Sequence, residues 1–312
     1  MNQDFTVVTN CNRNYLWGAF LLAASLRYQK NPVPVHVLVQ GFTAQDNRLL
    51  EQFGNVRVIE ADKTNPRNFA NLKAEALLTA DTNYIGWFDS DCMVVGDITP
   101  YWKPPNDSFQ ARFRTPEQMV DVYRTKYASG EKQGSVPKRI LDTWRADVGE
   151  NQTPAVQATC TTDNFVIHRR HLNFIKRWDE QLKKVIPAED QGVVNPNSFA
   201  YRQTDEEVIN SLLIFSRHAP PIDGQYLLDK DPNAFVLHLG MTPKPWQGWQ
   251  HRHIQYYDRV VSVVEWVQEK GYKTPLMPMS LQRKYRPLSQ LQAMKDGAYD
   301  FSKGIARRVL KR

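Results

Sequence analysis

The first 88 residues alternate short β-branched runs with amphipathic stretches, a rhythm that few architectures accommodate. Segments 5–8, 35–39, 56–59 and 84–88 read as strands, and 16–26, 43–53 and 68–79 read as helices. The order βαβαβαβ predicts an α/β fold with a mostly parallel sheet and flanking helices. In such a fold ligands collect where the strands end at their carboxyl side.

Segment 104–154 breaks the rhythm. It carries prolines, a polar run from Ser129-Gly130 to Gly134-Ser135, and two helical patterns starting near Pro116 and Lys138. It reads as an irregular insertion or lid. Regular structure resumes with a strand at 164–168, a helix at 170–184, and a helix opened by Thr204 whose Glu207 completes a capping box. A strand follows at 234–238. A helix at 258–270 ends at Gly271, and the remainder mixes lysine and arginine with apolar positions. The expected division is one main α/β domain over 1–250 and a C-terminal helical extension with a basic tail over 251–312.

Cys11, Cys92 and Cys160 are too scattered for a disulfide framework and form no C-x-x-C pair, so a reducing compartment is expected. Residues 1–4 carry no basic leader. The longest nearly apolar run, 17–26, is short of the roughly 20 residues a membrane span requires. These features predict a cytoplasmic protein. The formal charge of +7 favours anionic partners such as nucleotides or lipid surfaces. The tail 301–312 interleaves Lys303, Arg307, Arg308, Lys311 and Arg312 with Phe301, Ile305, Val309 and Leu310. It reads either as a contact with an anionic membrane at the cytoplasmic face or as a solvated terminus. No nucleic-acid signature is present, so no nucleic-acid partner is expected.

Asp89-Ser90-Asp91 directly follows the apolar run 84–88, so in an extended chain the two carboxylates share one side. Paired anionic oxygens at the carboxyl edge of a sheet suit a hard divalent cation that also binds phosphate. A polar turn after a strand is the plain alternative. The second signal, His238-Leu239-Gly240-Met241-Thr242-Pro243-Lys244-Pro245-Trp246, also follows a predicted strand. Here an imidazole offers a metal ligand and a lysine offers a point charge for phosphate. Mixed oxygen and imidazole donors favour Mn²⁺, with Mg²⁺ as the second choice.

Together these segments resemble glycosyltransferase family 8, in its glycogenin-like branch, in order through most of the chain to about Trp249. Val7-Val8-Thr9-Asn10, Tyr15 and Gly18-Ala19 look like its donor-binding first strand and helix. Lys73 stands where the family keeps a nucleotide-contacting cation, and Asp89-Ser90-Asp91 looks like its D-x-D segment. The His238 to Trp246 run is similar to its H-x-x-G-x-x-K-P-W signature, with Gly240 one place early. Thr162-Asp163-Asn164 replaces the family's Asn-Ser-Gly beside the transferred sugar, and Asp205-Glu206 replaces an Asp-Gln pair.

The resemblance implies a GT-A fold and a metal held by Asp89, Asp91 and His238. Thr9, Asn10, Tyr15, Lys73, Asp89, Ser90, Gly240 and Lys244 would contact a donor, expected to be UDP-linked. Asp205, Glu206, Asp163 and Asn164 would then stand near the reacting sugar. The implied activity is hexosyl transfer to a hydroxyl of a glycan, lipid-linked or protein acceptor, with retention of configuration. The helix-start statistics of 205–207 provide a second, purely structural account of Glu206. A phosphatase-like hydrolase and a non-catalytic basic binding protein are the competing readings.

Overall fold

The computed structural model describes residues 4–309 except 64, 66, 151–152, 154–155, 157, 188–193, 196 and 224–233; for 304, 305 and 307–309 only the backbone is described. Part of the 104–154 stretch therefore lies outside the described residues. So do Leu310, Lys311 and Arg312 and the side chains of Ile305, Arg307, Arg308 and Val309 in the basic tail.

The chain builds β1 (Phe5–Asn12), α1 (Leu16–Tyr28), β2 (Val35–Gln40), α2 (Ala44–Glu51), β3 (Val56–Glu60), α3 (Lys73–Leu77) and β4 (Tyr84–Phe88). There follow β5 (Cys92–Val94), β6 (Phe109–Phe113), α4 (Pro116–Tyr123), α5 (Lys138–Val148), β7 (Cys160–His168), α6 (Leu172–Val185) and α7 (Thr204–Phe215). The last elements are β8 (Ile222–Asp223), β9 (Val236–His238), α8 (Tyr257–Glu269) and α9 (Arg286–Val309). Seven strands form one sheet in the order β3-β2-β1-β4-β7-β6-β8, with only β7 antiparallel to its neighbours.

Helices cover both faces, which is why β1 and β2 are buried almost continuously rather than alternately. On one face α1, α2 and α8 pack with Val7, Cys11 and the valines of β2. On the other, α3 to α7 enclose Trp87, Trp144 and Trp178. The three cysteines are buried and none is in a disulfide. Among the described residues no helix is long and apolar enough to cross a membrane.

The structure departs from the sequence reading in two places. The stretch 104–154 is not wholly irregular, because β6 lies inside the main sheet, with Phe109 and Ala111 in the core. Helices α4 and α5 add Met119, Tyr123, Ile140 and Trp144 to the same core. The cap of α7 is Gln203, not Thr204, and no side chain caps the helix from that position. Glu207 instead accepts the Gln203 N–H at 3.0 Å, four residues back rather than the three of the predicted box.

Burial pushes the Glu207 carboxyl up to about 7. Between its ordinary value of 4.5 and about 7 the folded chain therefore holds a proton that the unfolded chain has released, so stability falls as pH rises through that window. Glu207→Gln keeps the acceptor and removes the titration. Urea unfolding at pH 5 and pH 8 should show the wild type losing up to about 3 kcal/mol more than this variant. A pH-independent difference between the two would refute the assignment.

Candidate active site

The two signals, 147 residues apart between Asp91 and His238, meet through the small sheet formed by β5 and β9. Strand β5 begins directly after Asp91, and its Cys92 stands opposite His238 in the antiparallel register. The Leu239 N–H continues the ladder to the Asp91 carbonyl at 2.9 Å. Backbone pairing thus sets the imidazole beside the carboxylates. His238 Nε2 lies 3.3 Å from Asp91 Oδ1 and 3.8 Å from Asp89 Oδ2. Ligand atoms of Asp89, Asp91 and His238 all fall within 4.8 Å of one another.

Two buried lysines flank this group. Lys244 Nζ bonds Asp91 Oδ2 and stands 5.5 Å from the Tyr15 ring centre. Lys73, the first residue of α3, reaches Asp89 Oδ1 and Asp205 Oδ2, each at 2.9 Å, and the Thr162 carbonyl at 3.1 Å. Strand β7 brings Asp163 alongside: its carbonyl accepts the Asp89 N–H at 2.8 Å, and its Oδ2 lies 3.8 Å from His238 Nδ1. Asn164 donates to Asp163 Oδ2 at 3.2 Å and accepts the Tyr101 hydroxyl at 3.1 Å.

The electrostatics follow from this crowding. Burial, with the charge of Asp91 beside it, raises Asp89 to about 6 against the pull of Lys73. Burial works to raise Asp91 as well, yet His238 and Lys244 hold it well below the ordinary carboxylate range. Burial alone would lower His238, but Asp91, Asp163 and Asp89 raise it to about 10. Lys73, despite burial, is held above its usual value by Asp205 and Asp89. A three-carboxylate field that draws a proton onto an imidazole also attracts a divalent cation, and two carboxylates with one imidazole are a suitable donor set for one.

Glu206 stands apart from this cluster. It pairs with Arg114, which also donates to Thr159 Oγ1 at 2.8 Å and to the Cys160 carbonyl at 3.0 Å. Arg112 on β6 donates to Thr161 Oγ1 at 3.1 Å and comes within 3.7 Å of Asp163 Oδ1. The sequence reading missed both arginines. The signal was available: Phe109, Ala111 and Phe113 alternate with Gln110 and Arg112, a period of two.

The remaining positions behave differently from one another. The Thr9 hydroxyl is fully buried without a hydrogen-bond partner, and Asn10 donates to the Phe69 carbonyl. Ser90 is buried, and its carbonyl lies against Gly18. Gly240 has no room for a side chain because the His238 ring occupies that space, 2.7 Å from where a Cβ would stand. The adjacent Met241 adopts a left-handed backbone with φ of 66°, a conformation that costs a non-glycine residue about 1 kcal/mol. Trp246, Trp249 and Tyr257 are buried, and Trp246 packs edge-on to Tyr15 at 6.1 Å.

Gly18 carries a mutational consequence of its own. A Cβ there would overlap the Ser90 carbonyl and come within 2.8 Å of the Trp246 indole. Gly18→Ala should therefore displace the Asp89 to Asp91 turn and cost about 1–3 kcal/mol, read by thermal unfolding. A variant as stable as the parent would show that the turn yields freely.

No family model and no curated protein matches the sequence. Solved structures do. The bifunctional glycosyltransferase WbbM superposes with a TM-score of 0.55 at 13% identity, over 85% of this chain and 50% of its own. The galactosyltransferase LgtC, solved with donor and acceptor sugar analogs, gives 0.50 at 17% identity over 91% of this chain and 99% of its own. The glycosyltransferase GlyE of Streptococcus pneumoniae TIGR4 gives 0.50 at 14% identity over 88% and 65%. The chain thus spans half of WbbM, just under two thirds of GlyE and nearly all of LgtC. The seven-stranded, mostly parallel sheet, its flanking helices and these structural neighbours establish the fold: it is the GT-A glycosyltransferase fold.

Proposed function

We propose that the chain transfers a hexose-type sugar from a nucleoside diphosphate donor, UDP-linked, to a hydroxyl acceptor. The observation that carries this reading is the convergence of Asp89, Asp91 and His238 between two buried lysines, at the carboxyl edge of the sheet. Asp89, Asp91 and His238 would hold a divalent cation, Mn²⁺ before Mg²⁺. Bound there, the cation would stabilise the negative charge that grows on the departing diphosphate. Lys244 and Lys73 supply point charges for the same phosphates, and such contacts accelerate reaction where they strengthen toward the transition state.

Asp163 and Asp205, with Asn164 beside them, supply the polar groups for the reacting sugar; the Glu206 carboxylate is engaged by Arg114. Retention of configuration belongs to the same reading, and NMR of the product linkage tests it. Calorimetry with UDP, with and without Mn²⁺, tests the whole: metal-enhanced binding is expected. Hydrolysis of a panel of nucleotide sugars then identifies the donor. Absence of metal-enhanced binding to any nucleoside diphosphate would sink the reading.

A further inference from the structure

Away from the metal-ligand group, cations gather around a single ring. Lys126 Nζ lies 4.1 Å and the Arg139 guanidinium carbon 4.5 Å from the centre of the Phe199 ring. Lys126 also donates to the Phe199 carbonyl at 2.8 Å. These three residues, from the turn after α4, the first turn of α5 and the approach to α7, line a cavity of about 650 Å³. A second cavity of about 340 Å³ shares Arg139 and Phe199 and reaches Lys184.

Glu131 and Asp142 line the same cavity, but both are engaged by groups other than Lys126 and Arg139. Glu131 accepts the main-chain N–H groups of Ala128 and Lys138, and Asp142 pairs with Lys138 at 2.6 Å. Asp147 accepts the Tyr201 hydroxyl at 3.0 Å, and Glu207 accepts the Gln203 N–H. Lys126 and Arg139 have no carboxylate partner among the described residues. Burial lowers the Lys126 ammonium below its ordinary value; Glu207 opposes this, and the charges of Arg202 and Arg139 add to it.

Like charges brought together repel, and an arriving anion relieves that repulsion. An aromatic ring beneath two cations also holds their flexible stems in place, so the anion meets fixed donors. Phe199 lies six residues before Asp205, which Lys73 ties to the metal-ligand group. We propose that the Lys126, Arg139 and Phe199 pocket is an acceptor subsite that binds the carboxylate or phosphate of an anionic saccharide. Its assignment to the acceptor rests on the glycosyl-transfer reading; the binding of an anion does not.

Calorimetry on the full chain with tetragalacturonate and its neutral methyl ester tests the pocket, with glucose 6-phosphate against glucose as the phosphate arm. At least one anionic probe should bind about tenfold tighter than its neutral counterpart, and Lys126→Gln with Arg139→Gln should remove about tenfold of that affinity. UDP binding by the same double variant should be unchanged. Arg48→Gln with Lys270→Gln, an equal loss of charge on α2 and at the end of α8, should cost less than about threefold, as expected of long-range charge alone. Equal affinity for the anionic and neutral probes in both arms, or equal losses in the two double variants, overturns the proposal. Anion binding lost with Lys126 and Arg139 in a chain that turns over no nucleotide sugar would uphold the pocket while refuting the transferase reading.

Discussion

Asp91→Asn is expected to abolish metal-enhanced nucleotide binding and to lower donor turnover by about 10²–10³-fold. The substitution keeps the volume of the side chain and the backbone ladder that joins Asp91 to Leu239. It removes the charge that faces both His238 and Lys244. What remains is Asp89 as the single carboxylate of the metal-ligand group, already paired with Lys73 and close to His238, and such a site holds a divalent cation far more weakly. Because Asp91 is buried, thermal unfolding must accompany the kinetics, so that loss of the site is separated from loss of the fold. Added Mn²⁺ should raise the unfolding temperature of the parent in the presence of UDP and leave that of the variant unchanged. Equal turnover by a folded variant would refute the metal assignment.

Much of this site was legible because its information is local. The D-x-D triplet follows an apolar strand, and the spacing from His238 to Lys244 is fixed within seven consecutive residues. The β/α rhythm was equally local, and Tyr84–Phe88, Pro116 and Lys138 stand where periodicity and proline signals put them. What escaped was nonlocal. Nothing near Arg112 or Arg114 announces Asp163 or Glu206, since those contacts exist only once β6 pairs with β7. The five-residue strand sits between prolines and turns, where short strands are weakly specified by their own sequence. Nor does the sequence announce that the His238 ring excludes a side chain at Gly240, a contact that exists only in the folded chain.

The largest stability effect is expected from Arg114→Met. The Arg114 side chain, 9% exposed, donates to Thr159, Cys160 and Glu206, so its loss leaves a carboxylate only 13% exposed without its cation. Breaking one side of a buried pair costs about 3–5 kcal/mol, and Glu206, already raised by burial, would respond by taking up a proton. Glu206→Gln leaves the opposite imbalance, an arginine that cannot shed its charge. The double variant, Arg114→Met with Glu206→Gln, removes both charges together and places glutamine where the resembled family has it. Its destabilisation should fall short of the sum of the two single effects by about 2 kcal/mol or more, measured by urea unfolding as a double-mutant cycle. Turnover should follow the same pattern, lost in Glu206→Gln and regained in the double variant, because Glu206 serves as the partner of Arg114 while Asp163 and Asp205 face the metal-ligand group. A folded double variant that stays inactive would give Glu206 a chemical role and overturn that division of labour.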